Sequence, residues 1–512
     1  MSAGLLFSFV IGYFIILLIV AYFTSRNANN ESFFIGNKNS NWMLVAFGMI
    51  GTSLSGITFV SVPGAVGRPF GTGFEAFSYF QIVIGYVLGY FIIAYVLLPL
   101  YYRLQLTSIY NYLGDRLGFI SYKTGAAFFI LSRTLGATAR LYLVVAILQN
   151  TILNDFGIPF WLSTLIILIM ILLYTFEGGV KTIIWTDMLQ TTGMLLGLII
   201  CVIYILKSLH LGFGEGIHAI ANQGYTKMFV WDPNNRLFFI KQILAGAFIT
   251  ITMTGMDQEM MQKNISVRTL KDSRKNVISF SFIQALVVLL FLFLGGLLYI
   301  YAQHNGGQYQ QAATGATQFM LSGKNVTGDA LFPEIALHQG LPAIISVIFI
   351  IALISALFPS ADGAITALTS SFCIDILGIK RKTDWTEEKR KRTRKMVHLV
   401  FAVVFLFFVM VFKAVNSSSM IGVILKVAGY TYGPLLGLFS FGILTRRKVN
   451  DKLVPYVAIG GPVICFFIDK YQKLLFGNFE IGLELILING ILVFLGLLMI
   501  SSKSHEPSTS TV

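Results

Sequence analysis

Apolar residues in this chain gather in uninterrupted stretches, many of them close to the roughly 20 residues that an α-helix takes to cross a bilayer. About thirteen stretches meet that length: 5–24, 42–63, 77–100, 124–148, 160–176, 183–206, 237–261, 277–301, 341–377, 396–412, 419–444, 453–468 and 481–500. Inside hydrocarbon no water completes the hydrogen bonds of the backbone, so each stretch predicts a helix. The pattern therefore predicts an all-α, polytopic membrane protein of about 13 transmembrane helices. The Gly- and Gln-rich stretch 304–340 reads as a long loop, and 501–512 as a disordered tail.

Composition agrees: 56% of residues are hydrophobic and 12% charged, whereas soluble domains carry about 25% charged residues. A water-soluble fold is excluded. The first stretch lacks a basic leader and a small-residue cleavage site, which reads as a retained helix rather than a signal peptide. The net charge of +14 does not point to nucleic acid, because the basic residues alternate between loops and form no single face. One set of loops carries Arg103, Arg116 and Lys123, then Lys263, Arg268, Lys271, Arg274 and Lys275, then the run 380–395, then Arg446, Arg447, Lys448 and Lys452. The other carries Arg68, Lys207, Lys227, Arg236, Lys324, Lys413, Lys470 and Lys473. Once the sparser loops are included the balance is roughly 25 against about 8, which places the first set in the cytoplasm, the N-terminus outside and the C-terminus inside. That leaves 304–340 external, with Asn325-Val326-Thr327 as a glycosylation sequon. The 389–395 cluster reads as an ordinary cytoplasmic loop or as a lipid-binding patch. Cys201, Cys373 and Cys465 lie apart in apolar stretches and read as packing residues.

Chemistry at membrane depth needs polar groups or irregular backbone, both of which lipid penalises unless they line a cavity. The second stretch has both in Gly51-Thr52-Ser53-Leu54-Ser55-Gly56-Ile57-Thr58, followed by Pro63-Gly64. A helix opened there would present carbonyl oxygens and a helix N-terminus to a cation and a polar solute. The alternative is close packing of small residues against a neighbour. The ninth stretch carries Pro359, Ser360 and Asp362 within about two turns. An unpaired carboxylate there must meet a cation, a basic side chain or water. Ser360 and nearby carbonyls offer hard oxygens of the kind sodium favours. A simple proline kink with a wet aspartate is the alternative. Arg133 and Arg140 share a face of the fourth stretch, Asp187 opens the sixth and Asp257 lies near the end of the seventh. Arg140 could bind a solute carboxylate through two hydrogen bonds, or pair internally with an acid such as Asp187.

At these residues the chain resembles the sodium:solute symporter family, which includes sodium/glucose, sodium/proline, sodium/iodide and bacterial sialic acid transporters. The resemblance rests on Ser32-Phe33-Phe34-Ile35-Gly36, the Gly51 to Thr58 run, and Ser108-Ile109-Tyr110-Asn111-Tyr112-Leu113-Gly114-Asp115-Arg116. It continues through Tyr174-Thr175, Gly178-Gly179-Val180-Lys181 and Trp185-Thr186-Asp187, then Asp257-Gln258 with Gln262, Phe332-Pro333, and Asp375-Ile376. It extends from about Glu31 to Lys448. It implies an inverted five-helix-repeat (LeuT-like) core, with repeats at 42–206 and 237–448. The segment 1–41 would be an extra helix and first loop, and 449–500 two C-terminal helices. It implies a transported Na+, one or two ions, with one site formed by Gly51, Leu54, Ala356, Pro359 and Ser360. Pro359 stands where the family has a serine, so it supplies no hydroxyl. Asp362 would add a charged oxygen, and Asp187 matches an acid that serves a second sodium site in some sialic acid transporters. For the solute the resemblance implies Ser53, Ser55 and Thr58, then Phe77 and Gln81, then Arg140, with Asp257 as a further candidate. Ile57 and Thr58 replace the pairing that sugar-binding members use, which favours a sugar acid over a neutral sugar.

The expectation is a plasma-membrane symporter whose partners are sodium, a small polar solute and the lipid bilayer, with no nucleic acid and no obligate protein partner. A sodium/neutral sugar symporter is the alternative. A membrane sensor, or a metal-dependent membrane enzyme using Asp187, Asp257 or Asp362, is a distant one, since no His pair or ligand-spaced carboxylate motif is present.

Overall fold

Helix answers the backbone's hydrogen-bond demand along almost every apolar stretch, as the pattern requires. The computed structural model describes residues 3–26, 33–34, 40–71, 73–176, 179–312, 315–339, 341–415 and 420–502. Ser32, Ile35, Gly36 and Gly178 of the motifs above, and the tail from 503 onward, lie outside the described residues. Spans are named below by the order of the apolar stretches.

Among the described residues, 8 helices are long and apolar enough to cross a membrane, and up to 11 spans result if each of three bent helix pairs counts as one. The fifth and thirteenth stretches form helices Phe160–Thr175 and Leu485–Met499, of 16 and 15 residues. Both are shorter than the roughly 20 residues of a full crossing, so length does not support all thirteen predicted spans. The bent pairs are Trp42–Ser53 with Gly56–Ala65 at 58°, Phe239–Gly255 with Gln258–Ile265 at 67°, and Ile421–Thr431 with Gly433–Leu444 at 44°.

The second span breaks where its sequence predicts. Leu54 (φ −88, ψ 77) and Ser55 (φ −69, ψ 173) leave the helical region between the two halves. The seventh span breaks too, at Met256 and Asp257, where the sequence reading had one helix ending. The ninth stretch is one helix, Ala343–Ser371, with Pro359 inside it. A lone proline removes one N–H from a helix, and packing on every side holds the rest: Ala352 to Ser371 are all buried.

The stretch 304–340 is not an open loop. Gln308–Gln311, Thr317–Leu321 and Lys324–Asn325 form a three-stranded antiparallel sheet, and a helix follows at Leu331–His338. Tyr309 ties this lobe to the end of the second span by donating to the Gly67 carbonyl at 2.8 Å, beside Tyr299 of the eighth span, which donates to the Gly64 carbonyl at 2.8 Å. The expected disordered tail also begins in order, because Ser501–Ser502 pair with Lys448–Val449.

Candidate functional site

The break in the second span faces a cavity of about 90 Å³, well above the roughly 15 Å³ that one water requires. Ser53, Ser55 and Thr58 line it from the break and Arg140 from the fourth span. Thr250 and Thr254 line it from the seventh span, and Gln284 from the eighth. Gln284 fixes one hydroxyl by donating from Nε2 to Ser53 Oγ at 3.0 Å, and its own Oε1 has no partner. Among the described residues no hydrogen bond or ion pair reaches the guanidinium of Arg140. Its neighbour Arg133 is paired with Glu259. Of the two alternatives for Arg140, internal pairing with Asp187 does not form, because Asp187 is bound to Lys263.

Two expected solute residues stand outside this cavity. Phe77 is buried in the turn that opens the third span. Gln81 is fully buried and committed to backbone, donating to the carbonyls of Ser78 (3.1 Å) and Leu237 (3.2 Å) and accepting from Val230 N (3.2 Å). Tyr79, Tyr86 and Tyr90 of the same span line the cavity instead. Their spacing of seven and four residues puts them on one helix face, a signal the sequence carried.

Below the cavity the break leaves oxygens free. Among the described residues no backbone N–H reaches the carbonyls of Gly51 through Leu54, since Leu54 N bonds Ile50 O and the next helical bond runs from Phe59 N to Ser55 O. The ninth span packs against both halves, so closely that a Cβ added at Gly56 would stand 3.8 Å from the Leu353 carbonyl oxygen. Ser360 lies on that helix, buried, with its Oγ 3.4 Å from the Ala356 carbonyl oxygen. Gly51 and Leu54 lie at the break of the second span, and Ala356, Pro359 and Ser360 lie on the ninth helix that packs against both of its halves; carbonyl and hydroxyl oxygens of this kind suit a hard cation.

The three acidic residues have protein partners. Asp187 is buried and accepts from Lys263 Nζ at 2.7 Å and from Thr52 Oγ1 at 3.2 Å, while the same ammonium donates to Thr52 Oγ1 at 2.7 Å. Lys263, read from sequence as a cytoplasmic loop residue, is 3% exposed and links the two broken spans to the sixth. One oxygen of the carboxylate expected at a second sodium, Oδ2, is therefore held by an ammonium, while Oδ1 has no hydrogen-bond partner among the described residues. Asp362 accepts from Tyr174 OH at 2.7 Å and from the Gly363 amide, so its carboxylate is held toward the fifth helix. Asp257 caps the second half of the seventh span, accepting from Glu259 N (2.9 Å) and Met260 N (3.3 Å), and accepts from Tyr432 OH (2.8 Å) across the bend in the eleventh. It does not line the cavity. Lys263 lies four residues after Glu259, a spacing visible in sequence.

Among curated relatives, the chain is 27% identical over 403 residues to the sodium-dependent multivitamin transporter of Oryctolagus cuniculus, covering 78% of this chain and 59% of that transporter, less than two thirds of its length. It is 25% identical over 448 residues to the sodium/sialic acid symporter SiaT of Proteus mirabilis (strain HI4320), covering 86% of this chain and 85% of the relative. Among solved structures, a Na+-coupled sialic acid symporter in a substrate-bound outward-open state superposes with a TM-score of 0.79 at 20% identity, over 98% of this chain and 99% of that one. The nucleobase-cation symporter Mhp1 in a closed conformation superposes with a TM-score of 0.53 at 12% identity, over 93% of both chains. These likenesses establish a LeuT-like transporter fold for a multi-pass membrane protein. The model of the sodium:solute symporter family matches residues 33–452, a stretch that contains both broken spans and every residue lining the cavity, and the chain belongs to that family.

Proposed function

We propose that the protein is a sodium-coupled symporter that carries a small, acidic, hydroxyl-rich solute into the cell, with a sugar acid such as sialic acid as the leading solute. The observation that carries this reading is Arg140, a guanidinium lining a cavity of hydroxyls and tyrosines with no hydrogen-bond or ion-pair partner among the described residues. A cation at membrane depth is costly to leave uncompensated, and a solute carboxylate would complete it through a two-pronged pair. A neutral sugar would leave it bare. Two relatives named as sodium/sialic acid symporters support the same choice.

Sodium binds at the carbonyls of Gly51, Leu54, Ala356 and Pro359 with the Ser360 hydroxyl. Of the one or two ions expected, one sits here; a second would use Asp187, whose Oδ2 is held by Lys263 and whose Oδ1 has no partner among the described residues. Asp362 and Asp257 act as structural partners of Tyr174 and of the seventh-span break. Sodium bridging the second and ninth spans fixes the geometry of the break, and the break holds Ser53, Ser55 and Thr58 toward the solute. The membrane potential adds about 2.3 kcal/mol per charge for each 100 mV. The repeats 42–206 and 237–448 each open with a broken helix, as two copies of one inverted unit would. The protein resides in the plasma membrane with its basic loops inside and the 308–325 sheet outside.

Uptake into proteoliposomes tests the proposal. Sialic acid should accumulate only under an imposed inward sodium gradient, and Arg140→Lys should lower its uptake about tenfold or more, because a point charge replaces the planar fork. Accumulation that ignores sodium, or equal loss for sialic acid and glucose in Arg140→Lys, would overturn it.

A further inference from the structure

Part of the basic run 380–395 is helix rather than loop, since the tenth span begins at Glu387 and continues to Val415. On that helix Lys389, Arg392, Met396, Val400, Val403 and Phe407 recur at steps of three and four and so share one face. The face is open along its length: Lys389 and Arg392 are exposed, and the four apolar residues are 55–67% exposed. In a chain that spans a bilayer, an open apolar stripe of this kind meets lipid. At 1.5 Å per residue, Arg392 and Lys389 lie about 6 and 10 Å beyond Met396, the depth over which hydrocarbon gives way to headgroups.

The turn before the helix adds a third cation. Lys382 Nζ lies 4.2 Å and Lys389 Nζ 4.6 Å from the centre of the Trp385 ring, so two ammoniums converge on one indole, a side chain that favours the membrane interface. The turn is braced, with Arg390 donating to the Lys382 carbonyl at 2.9 Å and Thr386 Oγ1 accepting from Lys389 N at 3.3 Å. Arg390 also draws the neighbouring carboxylate of Glu387 to itself, at 3.7 Å. Among the described residues no acid pairs with Lys382, Lys389 or Arg392. The two ammoniums stand at most about 9 Å apart, close to the screening length at physiological salt, so they repel and together attract an anion.

We propose that this end of the tenth span is a headgroup site for an anionic phospholipid, its phosphodiester among Lys382, Lys389 and Arg392 against Trp385 and its acyl chains along the stripe from Met396 to Phe407. A zwitterionic lipid brings an ammonium of its own, which competes with the three cations. A soluble anion makes no use of the stripe. The tenth span packs against the fourth and ninth, which carry Arg140 and Ser360, so a lipid bound here braces helices that frame the proposed solute and sodium sites. The lipid site needs only the membrane-spanning fold and is independent of which solute is carried.

Lipid retention tests this. The full-length protein in detergent is mixed with equal amounts of phosphatidylglycerol and phosphatidylcholine and passed through a size-exclusion column, and its bound lipid is counted by mass spectrometry. Phosphatidylglycerol should exceed phosphatidylcholine by about fivefold or more. Lys382→Gln, Lys389→Gln and Arg392→Gln together should bring the two lipids to parity, and Arg392→Gln alone, an exposed change, should lower the enrichment about twofold. Arg446→Gln, Lys448→Gln and Lys452→Gln together remove the same charge from another exposed basic segment and should leave the enrichment intact. No enrichment in the parent, or enrichment that survives the first triple variant, would overturn the site. Equal loss in both triple variants would overturn it as well, by showing diffuse attraction to charge. Displacement of phosphatidylglycerol by glycerol 3-phosphate as readily as by added lipid would reassign the cations to a soluble phosphate and overturn the lipid as occupant.

Discussion

The two broken spans look alike in the backbone and differ in what their breaks leave over. In the second span the residue at the N-cap of the outer half, Ser55, makes no capping hydrogen bond, and the carbonyls of Gly51 to Leu54 have no backbone partner among the described residues. In the seventh, Asp257 caps two amides and is itself tied to Tyr432. The half that follows brings Glu259 to Arg133 and Lys263 to Asp187. One break keeps its backbone oxygens open, and the other carries its charged side chains in ion pairs within the protein, with Glu259 Oε1 and Arg133 Nε left without a hydrogen-bond partner among the described residues. In the proposed symport cycle, the open groups of the second span are the ones that would respond to ion and solute. The seventh supplies a fixed charged frame around it.

The sharpest way to break this contrast is Lys263→Met. It would leave Asp187 buried without its cation and should destabilise the protein by about 3–5 kcal/mol, read as a fall in thermal midpoint in detergent. The double variant with Asp187→Asn should recover much of that loss. If Lys263→Met were as stable as the parent, the charged frame would be a fiction. A smaller effect is expected at the ion. Ser360→Ala should raise the sodium concentration for half-maximal uptake by about tenfold through loss of a hydroxyl ligand, with little change in thermal stability without sodium. Unaltered sodium activation would remove Ser360 from the site. The mildest is Asp257→Ala, which should cost about 1–2 kcal/mol of stability as a lost cap while leaving solute affinity at saturating sodium within a few-fold of the parent. A large loss of affinity would instead mean that the seventh-span break, like the second, is open to solute.

Legibility in sequence followed the range of the interaction. The second-span break could be read because Gly51, Thr52, Ser53, Ser55 and Gly56 place glycines and hydroxyls in an otherwise apolar run, a local conflict with helix in lipid. The seventh-span break had a local signal as well, Gly255 followed by Asp257 and Glu259 in helix-start order, but the apolar stretch around it masked a start inside a span. Gln81 and Tyr79 occupy one short segment, yet only the fold shows that the glutamine holds backbone while the tyrosine meets the cavity. Lys263 looked like one more charge in a basic loop. Nothing within its own segment shows that the helix carrying it turns 67° back into the core.

Hydropathy alone determined that this is a helical membrane protein, and the hydroxyl-rich run alone determined where its second span would open, because both follow from the cost of unsatisfied polar groups in lipid. Tertiary structure decided which charges remain available. Asp187 finds its ammonium 76 residues along the chain, Asp257 its tyrosine 175 residues along, and Arg140 finds no partner at all among the described residues. Pairing depends on distance in space, and a chain folded into packed spans sets those distances by the packing of helices that no local pattern encodes.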